Sequence, residues 1–152
     1  MKFVMQHQKK IILLLFVAWT GGILFLSGQN GDEAFGLTYR LACPIAGIFF
    51  EHPDYDQILA VMIVMRKLGR CFFFLVFGFL WYLLVEVFAK EWNIIRKRIV
   101  ILSGMVLFSV FDETHKLFIA GRHCTMEEIF INIVCGTIGI LIAFSVGKKW
   151  HK

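Results

Sequence analysis

Apolar positions run through this chain in blocks rather than in alternation. Ile11 to Gly28 is eighteen residues without a charge, preceded by Lys9 and Lys10. At ~1.5 Å per residue such a helix covers roughly 27 Å, close to the hydrocarbon thickness of a bilayer. It is longer than the apolar core of a signal peptide, and no A-x-A-like cleavage site follows it, so the pattern predicts a retained helix. A second block, Leu68 to Ala89, opens beside Arg66, Lys67 and Arg70. A third begins after Arg96, Lys97 and Arg98, and a fourth runs from about Glu128 to Val146, ahead of Lys148 and Lys149. Transmembrane helices are therefore expected near 11–28, 68–89, 99–118 and 128–146.

Residues 29–66 read differently. They carry Asp32, Glu33, Arg40, Glu51, Asp54 and Asp56 and both prolines, Pro44 and Pro53. A long first loop is expected here, with a short interfacial segment broken at Pro44. Ile58 to Met65 is too short to span, and is expected at the surface or leading into the next helix. The fold class is thus an all-α membrane protein, a four-transmembrane-helix bundle with a long first extracellular loop, in one domain covering residues 1–152.

Composition agrees. Of 152 residues 59% are hydrophobic and only 18% charged, against roughly a quarter charged in soluble domains. The mean hydropathy is +0.74. The net charge of +5 is explained by topology and not by nucleic acid, since no basic run is interleaved with aromatics. Basic residues mark the cytoplasmic side of short loops. The N-terminal arm (Lys2, Lys9, Lys10), the connection holding Lys90 and Arg96–Arg98, and the tail (Lys148, Lys149, Lys152) outweigh the other connections. Both termini are therefore expected in the cytoplasm, with a multi-pass chain in the lipid bilayer.

The four cysteines form no CxxC pair and no zinc spacing. Cys71 and Cys135 read as small apolar packing residues, and a Cys43–Cys124 disulfide is left open. Asp112, Glu113, His115, His123 and Cys124 match no metal motif, so neither metal nor cofactor is expected.

Candidate chemistry sits in FDETHKLFIAGR, Phe111 to Arg122. The apolar run before it, Ile99 to Phe111, is too short to cross alone. A spanning third helix thus carries Asp112 and Glu113 into the outer part of the hydrocarbon layer. A carboxylate there is unfavourable by ~2.5 kcal/mol or more without a partner or water. Lys116 is spaced i+4 from Asp112 and i+3 from Glu113. Arg66 and Arg70 lie one turn apart at the outer start of the second helix, and Glu128 and Asn132 one turn apart at that of the fourth. Arg122 follows Gly121, where the chain can turn sharply. These polar ends are expected to meet in one pocket on the outer side. Ionisable residues inside a membrane point to function by default, and the arginines suit an anion such as a phosphate. A salt-bridge network that only fixes helix packing is the alternative.

These residues resemble VanZ-like membrane proteins. FLSGQ, Phe25 to Gln29, is similar to the F-x-S-x-Q ending of that family's first helix. RKLGRCFFFLVFG, Arg66 to Gly78, resembles its second-helix opening. DETHKLFIAGR, followed by Glu128 and Asn132, resembles its C-terminal signature: D-E-x-x-Q, an aromatic, P-G-R, then Asp and Asn on the next helix. Four positions depart. Arg70 stands where His is usual, Lys116 where Gln is, Ala120 where Pro is, and Glu128 where Asp is. The resemblance implies a protein of the bacterial plasma membrane and cell envelope, associated with glycopeptide (teicoplanin) resistance. The expected pocket comprises Gln29, Arg66, Lys67, Arg70, Asp112, Glu113, Lys116, Arg122, Glu128 and Asn132. Its expected partner is an anionic lipid headgroup, a wall precursor or the antibiotic itself. An enzyme acting on a lipid-linked phosphate is the alternative, but no Ser or Cys has an evident activating base, which favours a binder.

Overall fold

The longest helix begins inside the expected loop. The computed structural model describes residues 2–150, with side chains for residue 7 and residues 9–147. Among these all regular structure is helical: α1 (Lys2–Ser27), α2 (Gly31–Phe49), α3 (Tyr55–Phe88), α4 (Ile94–His115), a single 3-10 turn (Lys116–Phe118), and α5 (Met126–Trp150). The long first loop is thus corrected. Residues 29–66 hold all of α2 and the first third of α3, and only short turns join them.

Local chemistry explains the correction. Asp54 caps α3: its carboxylate accepts from the Gln57 backbone N–H at 2.8 Å, and the Gln57 side chain accepts from the Asp54 N–H at 3.1 Å. This reciprocal capping starts a helix at Tyr55, so Ile58–Met65 is its first apolar stretch and not a surface segment. Pro44 does not break α2. A proline inside a helix removes one hydrogen bond and costs ~3 kcal/mol, and here packing offsets it. Ala42 and Ala46 are fully buried against Ile58 and Met62. Ala34, Thr38, Ala42 and Ala46 recur every fourth residue, a small-residue seam that lets α2 lie close to α3. Cys43 packs beside that cluster, and all four cysteines are free thiols; no Cys43–Cys124 bridge forms.

α3 is the axis on which the other helices lie. α1 runs antiparallel to it, with Trp19 donating to the Phe73 carbonyl at 2.9 Å, Phe16 against Phe77 and Trp81, and Lys9 over the Phe88 ring. α4 is antiparallel too: Trp81 donates to the Ile101 carbonyl at 3.1 Å and Phe77 stacks on Phe108. α5 runs parallel to α3 in the most intimate contact of the fold. A Cβ at Gly78 would run into the α5 backbone at Gly136, and one at Gly139 into the α3 backbone at Leu75 and Phe79. Without a hydrophobic drive between helices in lipid, such close approach supplies the packing energy. Cys71 and Cys135 are part of the core that results.

Three helices are long and apolar enough to cross a membrane: Lys9–Ser27, Tyr55–Phe88 and Met126–Gly147. α4 is excluded by its ends, because Arg96–Arg98 and Asp112–Glu113 leave only Ile99 to Phe111 uncharged between them. Lys9 beside Phe88, with Phe144 beside Tyr82, puts the start of α1 and the last turns of α5 toward one end of the bundle. The acidic and basic cluster occupies the other.

Candidate functional site

At that other end α3, α4 and α5 interlock through charge. Arg70 on α3 donates to Glu113 on α4 at 2.8 Å and also pairs with Glu128 on α5. Lys116, the first residue of the 3-10 turn, pairs with Glu113, with Glu128 at 3.3 Å and with Asp112 at 3.9 Å. The tight 3-10 turn folds the lysine back over the end of α4. Lys116, Asp112 and Glu113 are each at most 2% exposed. Buried charges persist only when paired and hydrogen-bonded, and this lattice of two cations and three carboxylates meets that need for most of its atoms.

Several atoms stay unpartnered. Asp112 Oδ1, Glu113 Oε2 and both amide atoms of Asn132 are buried without a hydrogen bond. Asn132 lies one turn below Glu128 and is fully buried. Leaving such groups unpaired costs ~1–3 kcal/mol each, so the polar layer is held at a cost to stability.

Above it opens a cavity of about 400 Å³. Its charged side is formed by Arg66, Arg70, Asp112, Lys116, Arg122 and Glu128. Its apolar side comes from Leu26 of α1, Leu37 and Leu41 of α2, and Met65, Phe73 and Phe74 of α3. The volume falls within the range of small-molecule sites.

Arg122 is placed by a backbone clasp. Gly121 has a φ of 72°, open to glycine at no steric cost. Its backbone lies against Gly31, whose N–H donates to the Ala120 carbonyl at 3.1 Å. The turn after α1 and the turn before α5 are thereby fastened together. Arg122 then reaches across, donating to the carbonyls of Gln29 at 3.1 Å and Leu26 at 3.3 Å. Cationic side chains are favourable at a helix C-terminus, so Arg122 also caps α1. Burial first, then the positive charges of Arg66 and Arg70, push its guanidinium below the usual range. Arg66 donates to the Thr38 hydroxyl at 3.3 Å. Among the described residues neither Arg66 nor Arg122 has a carboxylate within ion-pair reach.

Of the ten residues named from the sequence, seven line the cavity: Arg66, Arg70, Asp112, Lys116, Arg122 and Glu128, with Gln29 at the turn. Glu113 lies behind the cavity wall, bonded to Arg70 and Lys116, and Asn132 is buried. Lys67 is not part of the cavity. It points outward and pairs with Glu127 at 2.7 Å, with both side chains more than half exposed. Its neighbours Arg66 and Arg70 lie on a different face of the helix, which turns ~100° per residue. Sequence reasoning missed the whole α2 wall, with Leu37, Thr38 and Leu41. The four-residue spacing of Ala34, Thr38, Ala42 and Ala46 was the signal that could have found it.

A protein-family model described as VanZ/LLP1 matches residues 11–147. No curated protein and no solved structure matches the chain.

Proposed function

The chain belongs to the VanZ/LLP1 family, and from that premise we propose that it works as a binder at the outer face of a bacterial plasma membrane. In this reading it is a multi-pass protein of VanZ type with both termini cytoplasmic, and α4 is its fourth span. The cavity takes an anionic group: a lipid headgroup, a wall precursor or a glycopeptide. Holding that ligand contributes to glycopeptide resistance.

One observation carries the reading. Arg66 and Arg122 border the cavity and, among the described residues, neither makes an ion pair, whereas Arg70 and Lys116 are already paired with acids. Guanidinium forks match oxyanions in geometry and charge. Catalysis has less support, because Ser109 is buried and donates to the Met105 carbonyl at 2.9 Å, and no base is bonded to it.

Purified protein and an Arg66→Gln variant should be compared for binding of anionic lipids and teicoplanin, and cells expressing each for glycopeptide susceptibility. Arg66 is exposed and makes only the Thr38 bond, so folding is expected to survive its loss. Equal binding and equal susceptibility would leave the charge cluster as a device for holding helices together.

A further inference from the structure

The geometry points to a ligand with two unlike ends, a phosphate monoester carried on a hydrocarbon tail. This deepens the anion-binding reading and rests on it. The two arginines select the headgroup. Arg66 and Arg122 line the cavity and make no ion pair among the described residues, while Arg70 and Lys116 face three carboxylates, Asp112, Glu113 and Glu128, so this end of the bundle carries one net positive charge. A phosphate monoester, whose second pKa is about 6, can match that charge as its singly protonated form and still has the acceptor oxygens to bridge both guanidiniums. Each keeps donors in hand: Arg66 uses only Nε, on Thr38, and Arg122 uses Nε and Nη2, on the carbonyls at the end of α1. Five donors per guanidinium leave enough for a shared phosphate. On the buried side Asp112 is among the lining residues, 1% exposed, and its Oδ1 is buried without a hydrogen-bond partner. It would accept a hydrogen bond from a hydroxyl or a protonated phosphate oxygen, and it disfavours a fully ionised group pressed deeper.

The tail is selected by the opposite wall. Leu37 and Leu41 line the cavity yet are 47% and 52% exposed. They mark the place where the cavity meets its surroundings, and that mouth is apolar. Phe73, Phe74 and Leu26 continue the apolar surface inward. A wholly polar ligand would leave this side unused. A hydrocarbon chain buries it, at ~25 cal/mol per Å² removed from water, and can remain continuous with the bilayer while the phosphate sits on the arginines. The structure thus pairs a two-cation seat with an apolar exit, separated by the width of one cavity.

The test uses the full chain in maltoside micelles and three probes: 1-oleoyl lysophosphatidic acid, glycerol 3-phosphate and monoolein. Titration calorimetry is expected to give the lysophosphatidic acid at least tenfold tighter binding than either fragment. Arg66→Gln should weaken it tenfold or more. Leu41→Asn, which removes apolar surface without adding charge, should weaken the lysophosphatidic acid several-fold more than it weakens glycerol 3-phosphate, with Leu37→Asn as the second variant if Leu41→Asn fails to fold. Equal binding of glycerol 3-phosphate and lysophosphatidic acid removes the tail and leaves the anion site standing. Equal binding of monoolein and lysophosphatidic acid, or indifference to Arg66→Gln, overturns the anion site and this inference with it. Absence of binding by all three overturns both.

Discussion

Arg70 Nη1 lies 2.8 Å from Glu113 Oε1, and Glu113 is fully buried. One bond therefore ties α3 to α4 where the carboxylate is out of reach of bulk water and the Arg70 side chain is only 19% exposed. Removing the arginine leaves Glu113 and Glu128 to share Lys116 alone. Breaking a buried pair from one side typically costs ~3–5 kcal/mol, because the remaining charge is uncompensated. Arg70→Met is expected to lower the unfolding free energy in detergent by about that amount. The exposed Lys67–Glu127 pair is the control: Lys67→Ala should leave thermal stability unchanged within error.

Asn132 separates stability from function. Both of its amide atoms are buried and unpartnered, so Asn132→Leu, which keeps the branching at Cγ and removes both polar atoms, is expected to raise stability by about 1 kcal/mol, after the strain of the larger side chain offsets part of the gain. If the polar layer supports the cavity, the same variant should bind anionic amphiphiles more weakly. Unfolding and binding curves on one preparation check both directions.

The α3–α5 seam should be intolerant of bulk. Gly136 lies against Gly78 and the Met105 side chain. Gly139→Leu, whose side chain would meet the α3 backbone at Leu75 and Phe79, is expected to abolish the folded bundle, seen as loss of a monodisperse elution peak, whereas Gly147→Leu, which has open space around it, should elute as wild type.

Orientation can be read from labelling. In a variant without native cysteines, His52→Cys at the α2–α3 turn should react with an impermeant maleimide added to intact cells. A cysteine in place of Glu91, at the opposite end of α3, should react only after the membrane is opened. The reverse pattern would invert the topology.

Much of the polar cluster could be read from spacing alone. Lys116 falls three and four residues after Glu113 and Asp112, and on a helix those spacings leave few alternatives. Glu128 and Arg70 each stand at the start of an apolar block, where helix ends gather. The first connection was not legible in the same way. Its charges and two prolines mimic a loop; what holds α2 helical through Pro44 is tertiary, Ala42 and Ala46 buried against α3, whereas the Asp54–Gln57 cap that starts α3 is local and its spacing lay in the sequence. Arg122 was legible through its match to the VanZ-like signature but not in its contacts. Its partners, the carbonyls of Leu26 and Gln29, are backbone groups that no side-chain pattern announces.

A Pro44→Ala substitution follows from the same point. It restores an N–H to the interior of α2 without disturbing the buried alanines. It is expected to stabilise the protein by up to ~3 kcal/mol, measurable as a later denaturation midpoint.

Because α3 continues from Tyr55 to Phe88 without a break, the outer hairpin and the bundle share a single rotational phase. A loop absorbs an added residue. Here one residue inserted between Arg66 and Phe74 would turn everything before it by ~100° about the helix axis. Arg66 and the whole α2 wall would swing away from Arg122, and the two halves of the cavity would face different directions. Length variation in this stretch should be tolerated only in steps that restore whole turns.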